Sequence, residues 1–329
     1  MHRNSPPPPP SLHPPSCPEP PGLSPAALGT ACCVLAAVGY TIVNVCLRHL
    51  TVLYDPMWLL CVKEAMTVVW LGPLLVWQAA RGRRPLPEGR TLGALIAVGL
   101  FTHFGGNLPL IWAMGIVGLA ITIPLATGVN LVACAVLGRW VLGERVPLQS
   151  GLATAVLIVS VVLLSGGAGR ANHAMALSEH VVAGPGWVAL AVAASCLAGM
   201  SYGVLNIAIR RALTAGVPWT AVGFLIPAMG AISLAPLCLG RFGLSGLLAT
   251  SPPDFLLMVF CGTLNLLAYL AIIKGLELTS VVRANVLSAS QVAMAAVAGL
   301  LFFREAASPV LVAGVAMTIA GMVLIGRPG

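Results

Sequence analysis

The sequence predicts an all-α integral membrane protein with ten transmembrane helices arranged as two inverted five-helix repeats. Three observations predict it. Only 8% of residues are charged and 58% are apolar, with a mean hydropathy of +0.97, whereas soluble domains average about 25% charged residues. The apolar runs reach bilayer-crossing length and lack the alternation of barrel strands. Finally, a polar signature occurs twice. Tyr40, Asn44 and Arg48, in YTIVNVCLRHL, recur as Tyr202, Asn206 and Arg210, in YGVLNIAIRRAL, 162 positions later. An internal repeat inside a hydrophobic chain points to a transporter built from two halves.

Residues 1–25 stand apart. Their prolines, from Pro6 to Pro10 and on to Pro25, predict a disordered or polyproline-like cytoplasmic tail. They lack the basic start and apolar core of a signal peptide. The first repeat is expected over 26–168 and the second over 184–327. The spans read 26–47, 55–79, 92–113, 116–138, 148–166, 185–209, 217–239, 254–273, 278–302 and 307–326. Span 1 closes on Arg48 and span 2 contains Lys63 and Glu64. Spans 3 and 4 join almost directly, near Gly115. Span 5 follows Gly143-Glu144-Arg145, and span 6 ends at the second signature. Spans 7 and 8 are separated near Arg241, span 9 begins close to Arg283, and span 10 follows Arg304-Glu305.

Arginine placement orients the chain. With the N-terminus in the cytoplasm, Arg3, Arg81, Arg83, Arg84, Arg90, Arg139, Arg145, Arg210, Arg211, Lys274 and Arg327 fall inside. Arg48, Arg170, Arg241 and Arg304 fall outside. This positive-inside bias predicts a multi-pass plasma (inner) membrane protein with both termini cytoplasmic. It also accounts for the formal charge of +8 without nucleic acid. Five spans per half force opposite orientations, so the repeat is inverted. Of nine cysteines, Cys17 lies in the tail and the rest fall in apolar runs with no CxxC pair. They are expected to be small buried side chains rather than metal or redox centres. No cofactor is expected.

Candidate functional residues follow from polarity inside spans. Tyr40 and Asn44 share one helix face with Arg48, and Tyr202 and Asn206 share one with Arg210. One reading makes them paired gates, one toward each membrane face. The other makes the tyrosines and arginines interfacial anchors and the asparagines helix glue. Lys63 and Glu64 are the costliest residues. A lone charge near the bilayer centre costs about 2.5–3.5 kcal/mol on insertion scales. At the repeat spacing their counterparts are Leu225 and Ile226, so the charges break the symmetry, as a substrate or proton site would. Glu64 is the acidic residue well inside a span, a candidate proton carrier, and proton coupling is one expectation. The competing reading is a snorkelling Lys63 with Glu64 bridged to a polar neighbour. His103 could relay protons or simply hydrogen-bond a neighbouring helix. Asn107, Asn130, Asn265, Asn285 and Gln291 supply neutral donors and acceptors. Arg283 could hold a carboxylate or phosphate, or snorkel to the inner interface. Pro73, Pro109, Pro124, Pro227 and Pro236 interrupt spans, with Asn107-Leu-Pro109 and Thr122-Ile-Pro124 as candidate hinges.

The later parts of the halves also align. LGRWVLGE, Leu137 to Glu144, matches AGLLFFRE, Ala298 to Glu305, and the same spacing pairs Asn130 with Gln291. Each half ends in an apolar span, an acidic turn (Gly143-Glu144-Arg145; Arg304-Glu305) and a closing span (Gly151 to Leu164; Val310 to Ile325). This layout resembles the EamA-type permeases of the drug/metabolite transporter superfamily, over about residues 26–327. The second turn departs from Gly-Glu-Arg by reading Arg304-Glu305-Ala306. The resemblance implies a ten-helix secondary carrier, often an exporter of small metabolites, with a central cavity between its halves.

No HExxH, Walker loop or clustered carboxylate pair is present, so an enzyme is not expected. The expected partners are the lipid bilayer and a small polar or amphipathic solute. A carrier of phosphorylated or nucleotide-linked solutes is the alternative within transport, with Arg283 and Lys63 central. A non-transporting receptor or structural protein is the alternative outside it. Small residues such as Gly93, Gly299, Gly314 and Gly321 permit close packing within or between chains, which leaves a homodimer open.

Overall fold

A computed structural model describes residues 24–83, 86–143 and 185–302, with scattered positions in 151–159 and 309–320. The proline-rich tail, most of spans 5 and 10, and the acidic turns at Glu144 and Glu305 lie outside the described residues. Among those described, every regular element is helical. The helices are α1 (Pro25–Leu50), α2 (Pro56–Ala80), α3 (Gly89–Thr102), a π turn (His103–Asn107), α4 (Leu108–Val117) and α5 (Leu119–Val141). After the undescribed stretch come α6 (Pro185–Thr214), α7 (Trp219–Leu248), α8 (Pro252–Leu278), α9 (Val281–Ser288) and α10 (Ser290–Phe302). Among the described residues, seven helical segments are long and apolar enough to cross a membrane, with α3, the π turn and α4 forming one of them.

Local chemistry sets the boundaries. Helix N-termini carry N–H groups with no partner inside the helix, and the chain supplies them. The Ser24 hydroxyl accepts from the Ala27 N–H, and Asp55 Oδ1 accepts from the Met57 N–H at 2.8 Å. Ser251 and Ser280 cap α8 and α9 in the same way. Prolines occupy the first turns of α1, α2 and α8, where their missing N–H costs nothing. The boundary expected near Gly115 falls instead at Gly118. Its φ of 80° is a left-handed conformation that a side chain disfavours, and it separates α4 from α5 within one residue. Gly243, at φ 64°, likewise breaks the end of α7. The span expected over 278–302 is two helices, broken at Ala289.

The π turn has a sequence cause. Pro109 cannot donate to the Gly105 carbonyl, and its ring crowds that carbonyl. The ladder slips one residue, and the Leu108 N–H bonds the His103 carbonyl instead.

Most principal packing crosses between the two halves. α1 lies along α8, and α2 along α7. α6 packs on α5, α4, α3 and the π turn, while α9 and α10 pack on both α1 and α5. Small residues make this possible. An added Cβ at Gly203 would collide with Ala133, and one at Gly199 with the Ala126 carbonyl, so α6 approaches α5 almost to backbone contact.

Candidate functional site

A cavity of about 170 Å³ lies at the centre of the bundle, and both halves line it. α1 contributes Tyr40 and Asn44, and α2 contributes Lys63 and Glu64. The π turn contributes His103 and Asn107, and α5 contributes Thr127 and Asn130. From the second half come Tyr202 and Asn206 on α6, Asn265 and Tyr269 on α8, Asn285 and Ser288 on α9, and Gln291 on α10. Apolar side chains such as Val43, Ile111, Leu205 and Ile272 complete the wall.

One side of the cavity holds a buried charged cluster. Lys63 is 6% exposed and Glu64 2%. The Lys63 Nζ stands 2.9 Å from Glu64 Oε1, so these sequence neighbours pair although adjacent helical positions diverge by about 100°. A snorkelling Lys63 is not what forms. Asn107 Nδ2 reaches Glu64 Oε1 at 3.4 Å and His103 Nδ1 at 3.1 Å. Asn107 Oδ1 accepts from the Tyr202 hydroxyl at 2.8 Å. His103 Nε2 meets the Ile226 carbonyl at 2.9 Å. A carbonyl can only accept, so Nε2 carries the proton. Nδ1 is then the acceptor for Asn107, as in a neutral imidazole. The ring is clamped from behind, because a Cβ at Gly230 would come within 2.7 Å of it. The π turn is what brings His103 and Asn107, on one element, to Glu64 of α2 and Tyr202 of α6.

Across the cavity three asparagines form a knot between α5, α6 and α9. Asn130 Nδ2 donates to Asn285 Oδ1 at 2.9 Å. Asn206 Nδ2 donates to the same oxygen at 2.9 Å and to Asn130 Oδ1 at 3.3 Å. Asn285 Nδ2 donates to its own helix at the Val281 carbonyl. Gln291 Nε2 lies 3.5 Å from Thr127 Oγ1. Two buried hydroxyls of lining residues, Thr102 Oγ1 and Tyr269 OH, have no hydrogen-bond partner among the described residues.

Polar bonds also join the halves beyond the cavity. Where α1 hands over to α2, the Tyr54 hydroxyl donates to Asp254 Oδ2 at 2.7 Å, and Trp58 Nε1 donates to Thr250 Oγ1 at 3.0 Å. Arg241 Nη2 stands 3.2 Å from Asp55 Oδ2. At the opposite end, Arg210 Nη1 donates to the Leu276 carbonyl at 2.6 Å and the Glu277 carbonyl at 3.0 Å, closing the last turn of α8.

The structure therefore places Lys63, Glu64, His103, Asn107, Asn130, Gln291, Tyr40, Asn44, Tyr202 and Asn206 on one cavity. Arg283 is the exception: it does not line the cavity. Ser280 caps its backbone N–H, and its Nε is buried without a hydrogen-bond partner among the described residues. Tyr40 and Tyr202, read as belonging to opposite membrane faces, meet in the same chamber. Sequence reasoning missed Tyr269. The signal was there, since it follows Asn265 by four residues and so shares its helix face. Reasoning also missed the Tyr54, Trp58 and Asp254 contacts, which join positions about 200 residues apart.

Comparison with known proteins is consistent with this architecture. No curated protein matches the chain. Among solved structures 28 chains match. One of them, a crystal structure of a protein, aligns with a TM-score of 0.64 at 19% identity, covering 92% of this chain and 96% of its own. At that identity the likeness concerns the fold alone. The sequence model of the EamA-like transporter family matches residues 189–327. The segment that supplies Tyr202, Asn206, Asn265, Tyr269, Asn285 and Gln291 to the cavity is thus similar to the EamA-like transporter family, a family of the drug/metabolite transporter superfamily.

Proposed function

We propose that the protein is a secondary transporter of a small polar or amphipathic metabolite, working by alternating access of two inverted halves. The observation that carries this reading is the cavity itself, a polar chamber with a buried ion pair at the seam between the halves. A polar chamber inside an apolar bundle is costly unless it serves a solute.

The packing pattern supports inversion. Exchanging the halves turns α1–α8 into α6 against α3 and α4, and turns α1 against α9 and α10 into α6–α5. It leaves α2–α7 and α5 against α9 and α10 as their own counterparts. The cross-half bonds on either side of the cavity are those a rocking motion would break and remake. The orientation with both termini cytoplasmic rests on the arginine bias.

The volume favours a small solute. The cavity volume is about 170 Å³. Sites for drug-sized ligands run to about 300–1,000 Å³. A nucleotide-linked solute is disfavoured by size. A phosphorylated one is disfavoured because Arg283 stands outside the cavity and Lys63 is already paired.

The test is flux in proteoliposomes across amino acids, nucleosides and sugar phosphates, with proton movement recorded, for wild type beside Glu64→Gln. Solute-dependent proton movement in wild type that the variant loses supports a coupled carrier using Glu64. Flux unchanged by the substitution removes Glu64 from the mechanism. Absence of flux with every solute favours a receptor or structural role.

A further inference from the structure

Four cysteines near the junctions of α1 with α2 and of α7 with α8 form two pairs, each joining the first half to the second. α1 and α8 run antiparallel in a fixed register. A Cβ at Gly29 would stand 3.0 Å from Leu278 Cβ, and one at Gly39 would stand 2.9 Å from Ala268 Cβ. Seven residues further on, two turns along the same faces, the register sets Cys46 opposite Cys261. Both side chains pack in the same apolar cluster. The second pair lies on α2 and α7. Asp55 and Arg241 meet at 3.2 Å, and one to two turns inward on the same two helices stand Cys61 and Cys238, buried in the same apolar cluster. Cys61, Cys238 and Cys261 are buried in one apolar cluster, with half-buried Cys46 packed against it. Among the described residues no group of three or more His, Cys, Asp and Glu could hold a metal. The thiols meet as separate pairs rather than as one soft-metal site.

We propose that Cys46 with Cys261, and Cys61 with Cys238, are oxidisable pairs whose disulfides lock the two halves together at this end of the bundle. The lock rests on the alternating-access reading above, since this end must part for the cavity to open there. In the expected orientation this is the extracytoplasmic side, the compartment where disulfides persist. The pairs lie in apolar surroundings, which suits a small uncharged oxidant such as hydrogen peroxide. The Cys46 sulfur attacks the peroxide O–O bond and keeps one hydroxyl as a sulfenic acid. The thiol proton leaves with the other oxygen as water. The Cys261 sulfur then displaces that hydroxyl, which departs with the Cys261 proton as a second water. Two electrons pass from the thiol pair to the peroxide, and one S–S bond forms. The same balance holds for Cys61 and Cys238. Either bond fixes a first-half helix to a second-half helix.

The experiment treats the full chain in right-side-out vesicles with hydrogen peroxide, then blocks free thiols and maps disulfide-linked peptides by mass spectrometry. A second readout is labelling of Asn44→Cys, a cavity position, by a membrane-impermeant maleimide applied from outside. The expected result is peptides linking Cys46 to Cys261 and Cys61 to Cys238, loss of Asn44→Cys labelling on oxidation, and its return with dithiothreitol. The Cys46→Ser/Cys61→Ser background should form neither link and keep its labelling under peroxide. Should that background misfold, Cys238→Ala/Cys261→Ala serves instead. Absence of both links, with all four thiols alkylated after denaturation, overturns the proposal. Links that leave labelling unchanged overturn the lock. Links in a protein whose Asn44→Cys is never labelled, even when reduced, overturn both the lock and the alternation beneath it.

Discussion

Removing the charge of Glu64 alone should be among the most destabilising single changes in the protein. The pair is almost dry, with side-chain exposures of 7% for Lys63 and 2% for Glu64 at 2.9 Å separation. At an effective dielectric of about 20, two unit charges at that distance attract by about 6 kcal/mol. Desolvation consumes most of this in the intact pair, yet deleting one partner strands the other charge and costs about 3–5 kcal/mol. Glu64→Gln keeps the shape and an acceptor for Asn107, but leaves the Lys63 ammonium without a counter-charge. Lys63→Met strands the carboxylate. The double variant Lys63→Met/Glu64→Gln removes both charges and should recover most of either loss, because a buried pair exchanged for neutral groups is often neutral in stability. The assay is reversible unfolding in micelles for all four proteins, read as a double-mutant cycle. A loss of about 3 kcal/mol lowers the folding constant by about a hundredfold, well above assay scatter. Single variants within about 1 kcal/mol of wild type, adding independently in the double, would refute the reasoning, since they would mean that water reaches the pair and screens it. The same proteins separate fold from function. Restored stability without restored flux assigns the pair to transport, and restoration of both assigns it to the scaffold.

Gly230→Ala should push its new methyl into the His103 ring, 2.7 Å away, and cost about 1–3 kcal/mol as overpacking. Adding His103→Ala should relieve that strain in the same unfolding assay. Tyr54→Phe removes the bond to Asp254 at 2.7 Å and should cost about 1 kcal/mol. It should also raise labelling of Asn44→Cys from the α1–α2 side, and unchanged labelling would mean that this contact does not hold that end closed. Asn206→Ala removes both donations to the asparagine knot and should cost about 1–3 kcal/mol. Asn44→Ala and Asn206→Ala are expected to trap opposite-facing states, and equal cavity labelling from both sides in both variants would exclude a gating role.

Much of the architecture was legible because membranes make sequence literal. In hydrocarbon every backbone group must be satisfied within its own segment, so apolar length alone placed most of the described spans. The polar residues that could not face lipid named most of the cavity in advance. What could not be read was pairing at a distance. Nothing near Tyr54 announces Asp254, and nothing near Asn130 announces Asn285. Arg283 was misplaced because its type suggests an anion site, while its position at the start of α9 takes it off the cavity. Gly115 was the wrong break because glycine identity does not reveal the sign of φ. Only the backbone shows that Gly118 takes the positive value.

The charged pair also explains why a duplicated chamber would carry it once. At the repeat spacing of 162, Glu64 corresponds to Ile226, and Ile226 also lines the cavity. Its carbonyl receives His103 Nε2 at 2.9 Å, while His103 Nδ1 lies 3.8 Å from Glu64. α2 and α7 pack on each other, so in the proposed inverted arrangement this pair would be its own counterpart, with its two copies facing one another across the local axis. A second Lys-Glu pair at 225 and 226 would crowd four charges around one small chamber. Each like pair would repel where the effective dielectric is low. Replacing the second pair by Leu225 and Ile226 keeps one dipole, oriented by one half alone. The single imidazole then bridges the charged wall to the apolar one. A solute crossing that axis would meet charge on one side and a carbonyl-anchored ring on the other. Inserting Ile226→Glu should therefore destabilise the fold in wild type more than in the Lys63→Met/Glu64→Gln background. A double-mutant cycle on unfolding free energies decides the point, and equal costs in the two backgrounds would show that the two positions do not share one chamber electrostatically.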